Sequence, residues 1–191
     1  MNKNIIDYKN IYYPPGGILM WILIFLELVT FGIALVFLVL NSKENPELFY
    51  QSRLALNTTF GALNTIFLLT SGFFMATTVH QFKQNNSVKA ALFLKITMLG
   101  GFLFLILKSV EYYLKINAGY TLGYNSFFTF YWLLTGFHVI HVLVGLVILL
   151  FMYNGIRKET TVLEDVEASA AFWHMCDLIW LLLFPILYLI L

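Results

Sequence analysis

Charged residues are scarce in this chain of 191 residues, since Asp, Glu, Lys and Arg together make up only 11% of it. A soluble globular domain usually carries about 25% charged residues. Hydrophobic residues account for 60% of the sequence, which is enough for about five membrane crossings of roughly 20 residues each. The composition therefore excludes an ordinary soluble globular protein.

The chain also lacks a strong charge of either sign. Its formal net charge is +1, and no block of five or more like charges occurs along the sequence. Binding to nucleic acid depends on clustered Lys and Arg side chains that neutralise phosphates. We therefore expect no nucleic-acid partner.

Few residues are available for catalysis or metal binding. The single cysteine, Cys176, cannot form a disulfide within the chain, and the 4 histidines allow few combinations of metal ligands. The sequence contains no HExxH motif, no glycine-rich phosphate loop and no nucleophile elbow. We predict no catalytic residue, no metal site and no cofactor in this chain.

Five long apolar runs, each bounded by polar, glycine or proline residues, are typical of helices that cross a membrane. They lie near residues 17–40, 57–80, 90–114, 127–153 and 168–190. Residues 1–16 form a short polar and aromatic tail, and no connection between runs is long enough to be a separate domain. The sequence thus predicts an all-α fold, a single bundle of five transmembrane helices over residues 17–191.

The distribution of basic residues predicts how the bundle is oriented. The tail and the second and fourth connections carry six Lys and Arg residues, against three in the other two connections. Basic residues in short loops are retained on the cytoplasmic side of a membrane. We therefore place the N-terminus in the cytoplasm and, after five crossings, the C-terminus in the periplasm.

Glu27 is the most isolated ionisable residue within the apolar runs. It lies about ten residues into the first run, which corresponds to roughly 15 Å and to the middle of the membrane. An ionisable group at this depth is costly unless it is neutral, paired or hydrated. No basic residue lies within a helical turn of Glu27, so its partner must come from another helix.

Three pairs of polar residues are spaced three apart, which places both members of a pair on one helical face. The pairs are His138 with His141, His174 with Asp177, and Lys108 with Glu111. Hydrogen-bonded groups that hold helices together are the simplest interpretation, and a proton relay or a metal site is the alternative. Several small residues are expected to mark close helix contacts or the seat of a lipid chain. They are Gly61, Gly72, Gly100, Gly101 and Gly145.

Composition and periodicity permit two functions for such a bundle. One is a non-catalytic subunit of a larger membrane complex, and the other is an independent carrier of protons or solutes. A carrier is expected to contain internal repeats with interrupted helices at corresponding positions. No such repeat is present, and Pro185 is the one proline that interrupts a run from within.

Five segments, one in each run, form an ordered set of motifs. They read WILIFLELVTF (residues 21–31), LNTIFLLTSG (63–72), KSVEYY (108–113), FFTFYWLLTGFHVIHVLVG (127–145) and EASAAFWHMCDLIWLLLFP (167–185). In this order they resemble the haem-copper oxidase subunit III family, whose last two helices carry the patterns TGFHxxHV and WHxVDxxW. Two positions depart from the family: Leu26 replaces its usual serine, and Lys108 its usual glutamine.

The resemblance implies cytochrome c oxidase subunit III in its short bacterial form, which has five helices and lacks the first two of longer members. Such a subunit carries no haem or copper, because these belong to its partner, the catalytic oxidase subunit I. It is expected to support proton uptake and electron transfer to oxygen by that subunit. It is also expected to contact other oxidase subunits, to hold phospholipids in a cleft and to lie in the bacterial inner membrane.

The resemblance also assigns a role to the buried polar residues. Glu27 matches a glutamate that reacts with carbodiimide in the family and has a structural or modulatory role. Glu27 and one of the two histidines His138 and His141 lie at similar depth, so a contact between them relieves two buried polar groups. His174 lies nearer the cytoplasmic side and is the weaker partner. The residues proposed as buried and modulatory are Glu27, Glu111, His138, His141, His174 and Asp177.

Two further residues are candidate lipid contacts. Lys95 lies near the cytoplasmic start of the third run, where its side chain is long enough to reach a lipid phosphate. Trp21, in the first motif, is the second candidate. Lys108 is expected to be neutralised by Glu111, one turn away.

The sequence does not determine which complex the chain belongs to. Cytochrome c oxidase is the first choice because it is the commonest, and a subunit III-like protein of a quinol oxidase or a nitric oxide reductase is the alternative. An independent proton or solute carrier is the alternative from a different class.

Overall fold

The computed structural model describes residues 14–190, and the regular structure in this part of the chain is helical. The helices are α1 Ile18–Glu44, α2 Pro46–Leu54, α3 Thr58–Lys83, α4 Ser87–Asn117, α5 Ser126–Arg157 and α6 Leu163–Pro185, which continues as a π-helix over Ile186–Ile190. All of these except α2 are long and apolar enough to cross a membrane. The predicted all-α fold with five transmembrane helices is confirmed. The side of the membrane on which each end of the chain lies stays a prediction. Residues 1–13 of the tail lie outside the described part of the chain.

The connection predicted at 41–56 contains the short helix α2, which the apolar runs do not reveal. Pro46 lies in the first turn of α2. A backbone N–H in the first turn has no partner within the helix, so the N–H that proline lacks costs no hydrogen bond. Two contacts hold α2 against the start of α5. Asn125 Nδ2 donates to Ser52 Oγ at 2.8 Å, and the ring of Phe49 lies 5.6 Å from that of Phe127.

The transmembrane helices extend beyond the predicted apolar runs. The largest difference is at α6, which begins at Leu163 rather than near residue 168. Its first turn contains Glu164 and Asp165, acidic residues that interact favourably with the positive end of the helix dipole. A hydropathy pattern marks the part of a helix that lies in lipid, so it misses such polar turns.

Asparagine side chains begin three of the transmembrane helices. Asn57, Asn86 and Asn125 precede α3, α4 and α5, and each side chain accepts hydrogen bonds from backbone N–H groups of the following turn. These caps satisfy donors that a helix start otherwise leaves unpaired. They fix where three spans begin.

Helix α6 lies at the centre of the bundle. It packs against α3, α5 and α1, while α3 and α4 form an antiparallel hairpin and α4 packs against α5. Half of the most apolar stretch of α6 is buried within the protein, against 22% of that of α1. The first span is therefore the peripheral one, and the last span provides the core.

Glycines allow the central helix to approach its neighbours, as expected from the sequence. The indole of Trp173, on α6, fits between α4 and α5 at two of these glycines. A Cβ at Gly101 would lie 2.5 Å from this ring, and a Cβ at Gly145 would lie 2.9 Å from it. Trp173 Nε1 also donates to Ser71 Oγ on α3 at 3.0 Å. A single side chain thus joins four helices.

Candidate functional site

Glu27 and His141 form a contact between the peripheral helix α1 and α5. Glu27 Oε2 lies 3.2 Å from His141 Nε2, and the two side chains are 19% and 10% exposed. The predicted contact between Glu27 and one histidine of the pair is present. Its modulatory role stays a prediction.

The other ring nitrogen of His141 determines where a proton must lie. His141 Nδ1 is 2.8 Å from the carbonyl oxygen of Phe137, and a carbonyl only accepts, so Nδ1 carries a hydrogen. In the neutral imidazole, Nε2 is then an acceptor. The contact with Glu27 therefore requires a proton between Oε2 and Nε2, either on the carboxyl or on the imidazole. Glu27 and His141 thus form a pair that shares one proton.

Aromatic rings surround this proton-sharing pair. The ring of Phe137 lies 4.6 Å from that of His141, Phe31 lies 5.7 Å away, and Phe172 lies 6.5 Å away on α6. Such walls fix the orientation of the imidazole and exclude water from most of its surface. Glu27 remains the more accessible member of the pair.

His138 lies one turn from His141 but has a different environment. It is completely buried between the rings of Phe104 and Trp180, whose centroids lie 5.5 and 5.4 Å from that of the imidazole. Neither ring nitrogen has a hydrogen-bond partner among the described residues. The structure therefore brings His141, and not His138, to Glu27.

Lys108 and Glu111 form the most buried charged cluster in the described chain. Their side chains are each 1% exposed, and Lys108 Nζ lies 3.0 Å from Glu111 Oε2, as predicted. Tyr131 and Tyr188 complete the cluster, because each hydroxyl donates to Glu111 Oε1, at 3.0 and 2.7 Å. Lys108 Nζ in turn donates to the same two hydroxyls, at 3.2 and 2.8 Å. Four residues from α4, α5 and the π-helix thus form a closed hydrogen-bond network.

A cavity of about 510 Å³ opens beside this cluster, at the junction of α2 and α3. Its lining includes Glu111, Lys115 and the Asn57 cap of α3. Lys115 is engaged there, since its Nζ donates to the carbonyl oxygen of Ala55. The cavity thus borders the charged cluster at Glu111.

His174 and Asp177 form a third pair, on α6. His174 Nδ1 lies 3.5 Å from Asp177 Oδ2, and Asp177 is buried while the His174 side chain is 45% exposed. Gly72 on α3 lies beneath the pair, and a Cβ there would overlap Asp177 Oδ2. Asp177 Oδ1 has no hydrogen-bond partner among the described residues. The placement of His174 nearer the cytoplasmic side stays a prediction.

The two candidate lipid contacts lie apart from these pairs. Lys95 is exposed on α4, with Nζ 5.2 Å above the ring of Tyr153, and the guanidinium of Arg157 lies 5.8 Å from the same ring. Trp21 Nε1 donates to the carbonyl oxygen of Pro15 at 3.0 Å. Lys95 thus belongs to a small basic cluster, whereas Trp21 fastens the segment before α1.

Several residues of these sites were not identified from the sequence. Tyr131 and Tyr188 lie far from Glu111 along the chain, so no local spacing connects them. A usable signal is a Tyr in a transmembrane run, because a buried hydroxyl needs a partner. Among residues 14–190, no group of three or more His, Cys, Asp or Glu side chains is placed to hold a metal ion.

Comparison with known proteins identifies relatives of most of the chain. A sequence model of the family described as cytochrome c oxidase subunit III matches residues 54–190, from the end of α2 to the end of the π-helix. Cytochrome c oxidase subunit 3 of Aedes aegypti is 35% identical over 129 residues, which cover 66% of this chain and 48% of that protein.

Two other relatives carry the same name. The protein of Mycosarcoma maydis is 34% identical over 129 residues, covering 66% of this chain and 46% of that protein. The protein of Spodoptera frugiperda is 32% identical over 129 residues, covering 66% of this chain and 86% of that protein. The chain spans about half the length of the first two relatives.

Proposed function

The chain belongs to the cytochrome c oxidase subunit III family, and on this premise we propose that it is a non-catalytic subunit of a haem-copper terminal oxidase. The observation that carries the proposal is the family match across α3, α4, α5 and α6, which contain two of the polar pairs described above, Lys108–Glu111 and His174–Asp177. The haems and copper are held by partner subunits, chiefly the catalytic subunit I. This chain supports proton uptake and the transfer of electrons to oxygen by that partner.

We assign a modulatory role to the Glu27–His141 pair. Its carboxyl, on Glu27, is partly accessible from the side of the bundle. Protonation of this carboxyl changes the charge at the contact between α1 and α5. We assign His138, Glu111 and Asp177 to the same class of buried polar groups, with structural roles. His174, predicted as buried, is exposed, and we assign it a structural role through its contact with Asp177.

Bound phospholipid is part of the proposal. Lys95 and Arg157 place two positive charges near the ring of Tyr153 at one end of α4 and α5, and such clusters attract anionic headgroups. Native mass spectrometry of the purified chain tests this site. Replacing Lys95 and Arg157 by glutamine is expected to reduce the retained phosphatidylglycerol, whereas Lys43→Gln, an exposed lysine at the far end of α1, is the matched control. Equal lipid retention in all three proteins contradicts the site.

We assign the chain to the inner membrane of a bacterium, as a multi-pass protein. Five membrane-spanning helices support a multi-pass membrane protein, while the relatives named above come from eukaryotes. Fractionation of the source cells, followed by detection of the chain in the inner-membrane fraction, tests the location.

The decisive experiment is purification of the full tagged chain from its own membranes in a mild detergent. Mass spectrometry identifies the proteins that accompany it, and an optical spectrum identifies their haems. Recovery of a large haem-bearing subunit with oxygen-reducing activity is expected. Nitric oxide turnover or oxidation of quinol instead assigns the chain to a different complex of the superfamily. A colourless chain without partners contradicts the proposal and favours an independent carrier, which transport by the chain in vesicles then tests.

A further inference from the structure

Two lysines of the described chain are buried, and they differ in how their charge is compensated. Lys108 is 1% exposed and forms an ion pair with Glu111. Lys115, two turns further along α4, is 9% exposed and forms no ion pair with a residue in the range 14–190. Its ammonium group donates to one acceptor, the carbonyl oxygen of Ala55. Because a buried cation is costly without an opposite charge, Lys115 lacks a partner that its chemistry requires.

The carboxylate of Glu111 does not supply the missing charge. Glu111 lies one turn before Lys115 on α4, but its two oxygens are occupied by Lys108, Tyr131 and Tyr188. These three residues and Glu111 form the closed network described above. Two positive charges, on Lys108 and Lys115, therefore stand against one negative charge, on Glu111. Among the described residues, no further ionisable side chain lines the adjoining cavity, so the excess charge at its wall is positive.

The cavity beside Lys115 has the size and the donors to bind an oxyanion. Its volume of about 510 Å³ lies within the range of about 300–1,000 Å³ that is typical of ligand pockets. Thr58 and Thr59, in the first turn of α3, line the cavity and are exposed, so their hydroxyls can donate to a bound group. The ammonium group of Lys115 has two more hydrogens to donate after its bond to Ala55. These donors suit a phosphate, which has several acceptor oxygens and a negative charge.

An exposed apolar stripe leads from the cavity along α4. Leu114 lines the cavity and is itself exposed. Val110, Ile106 and Leu103 precede it at intervals of four, four and three residues, and all three are exposed. The four side chains therefore share one face of the helix. Such a stripe suits an acyl chain, whereas a free phosphate ion makes no contact with it. The cavity and the stripe together match a phospholipid.

We propose that the cavity at the junction of α2 and α3 binds the phosphate of an anionic phospholipid, which pairs with Lys115. The hydroxyls of Thr58 and Thr59 donate to the phosphate oxygens, and one acyl chain lies along the stripe of α4. This site is distinct from the lipid contact proposed at Lys95, which lies near the opposite end of the same helix. The inference depends on these contacts alone and not on the assignment to an oxidase.

Native mass spectrometry of the full chain is the first test. The double variant Lys95→Gln/Arg157→Gln is the starting protein, so that the other lipid contact does not contribute. After removal of lipid, we expect this protein to bind phosphatidylglycerol from mixed micelles. Adding Lys115→Gln is expected to weaken the binding about tenfold, because a charge-assisted hydrogen bond is lost. Lys43→Gln, at an exposed lysine at the same end of the bundle, is the matched control and is expected to change nothing.

Thr58→Val is a second variant, which leaves Lys115 in place. It removes one hydroxyl donor at the surface of the cavity and is expected to weaken the binding about threefold. Thermal unfolding of the lipid-free proteins distinguishes a lost site from a damaged fold, and Thr58→Val is expected to unfold as the starting protein does. Binding that neither Lys115→Gln nor Thr58→Val weakens overturns the inference.

Two probes that each lack part of the lipid identify the occupant. Dioleoylglycerol has the acyl chains without the phosphate, and inorganic phosphate has no chains. We expect phosphatidylglycerol to bind more tightly than either probe, and this difference to disappear with Lys115→Gln. Inorganic phosphate that binds as tightly as the lipid indicates a site for a free anion. Dioleoylglycerol that binds as tightly indicates an apolar contact alone, and both of these results overturn the inference.

A photoreactive phenylalanine analogue at Leu114 tests the same site in native membranes. Irradiation is expected to link it to a phospholipid, and Lys115→Gln is expected to reduce the yield of this adduct about tenfold. An unchanged yield shows that the label meets bulk lipid, and an adduct with another protein shows that a protein covers the cavity. Either result overturns the inference, whether or not the chain is recovered with a haem-bearing subunit.

Discussion

The Lys108–Glu111 cluster and the Glu27–His141 pair place ionisable groups in the same bundle under opposite conditions. Every charged atom of the first has partners, and both side chains are 1% exposed. The second has a single contact between helices, and Glu27 is 19% exposed. The sequence predicts both as buried polar pairs, yet the structure closes a network around the first and leaves the second with one contact and a partly exposed carboxyl. Partner number and access, rather than depth, distinguish the two pairs.

The largest expected effect follows from removing the cation of the closed cluster. In Lys108→Met, Glu111 keeps its two tyrosine donors but loses the positive charge that compensates it. Breaking a buried ion pair in this way costs about 3–5 kcal/mol. We expect this loss in the free energy of unfolding of the purified chain in detergent, measured by denaturant titration.

The double variant Lys108→Met/Glu111→Gln is the matched control. It removes both charges, so it is expected to be more stable than Lys108→Met alone. If the single variant loses less than the double variant, the two side chains do not form a compensated pair.

Tyr188→Phe tests the next contribution to the closed cluster. The change deletes the hydroxyl that donates to Glu111 and accepts from Lys108, at 2.7 and 2.8 Å. Hydrogen bonds to charged groups contribute about 1.5–3 kcal/mol, and we expect a loss of about 2 kcal/mol. Tyr113→Phe, at an exposed tyrosine on α4, is expected to leave stability unchanged. Equal effects of both substitutions exclude the hydroxyl as a member of the network.

The smallest expected effect is that of Glu27→Gln in the open pair. The glutamine amide can donate to His141 Nε2, so the contact persists without a shared proton. We expect a loss below about 1 kcal/mol but a disappearance of the Glu27 carboxyl signal from infrared difference spectra. A loss of stability as large as that of Lys108→Met shows that the Glu27–His141 pair is structural and does not differ from the Lys108–Glu111 cluster in this respect.

Chemical access sharpens the same contrast. An apolar carbodiimide added to membranes is expected to modify Glu27, which is partly exposed, well before Glu111, which is held by three partners. Mass spectrometry of the peptides that contain each residue gives the two rates. Equal modification of both carboxyls contradicts the assignment of one open and one closed site.

Local sequence patterns predicted the spans well, because a helix must be long and apolar to cross a membrane. Apolar length identifies the five crossings, and residues three apart identify the partner of Lys108 and that of His174. Helix α2 was missed because it is short and polar, and its stability comes from contacts of Phe49 and Ser52 with α5. Tertiary contacts of this kind leave no periodic trace.

The rest of the candidate site depends on which helices become neighbours. Depth predicted that Glu27 meets one of two histidines, but the choice of His141 depends on the rotation of α5 against α1. Tyr188 joins the cluster because the chain continues past Pro185 as a π-helix, which changes the direction of the following side chains. Neither rotation nor helix type can be read from hydropathy.

The central position of α6 has a consequence for biosynthesis. This helix follows the other five along the chain, so the ribosome delivers the core of the bundle after its periphery. Until it inserts, α3 and α4 present the hydroxyl of Ser71 and the glycine notch at Gly101 to lipid or to the insertion machinery. The order of translation thus delays consolidation of the bundle until α6 has been made, and a nascent chain stalled before Trp173 is expected to be a substrate for membrane proteases.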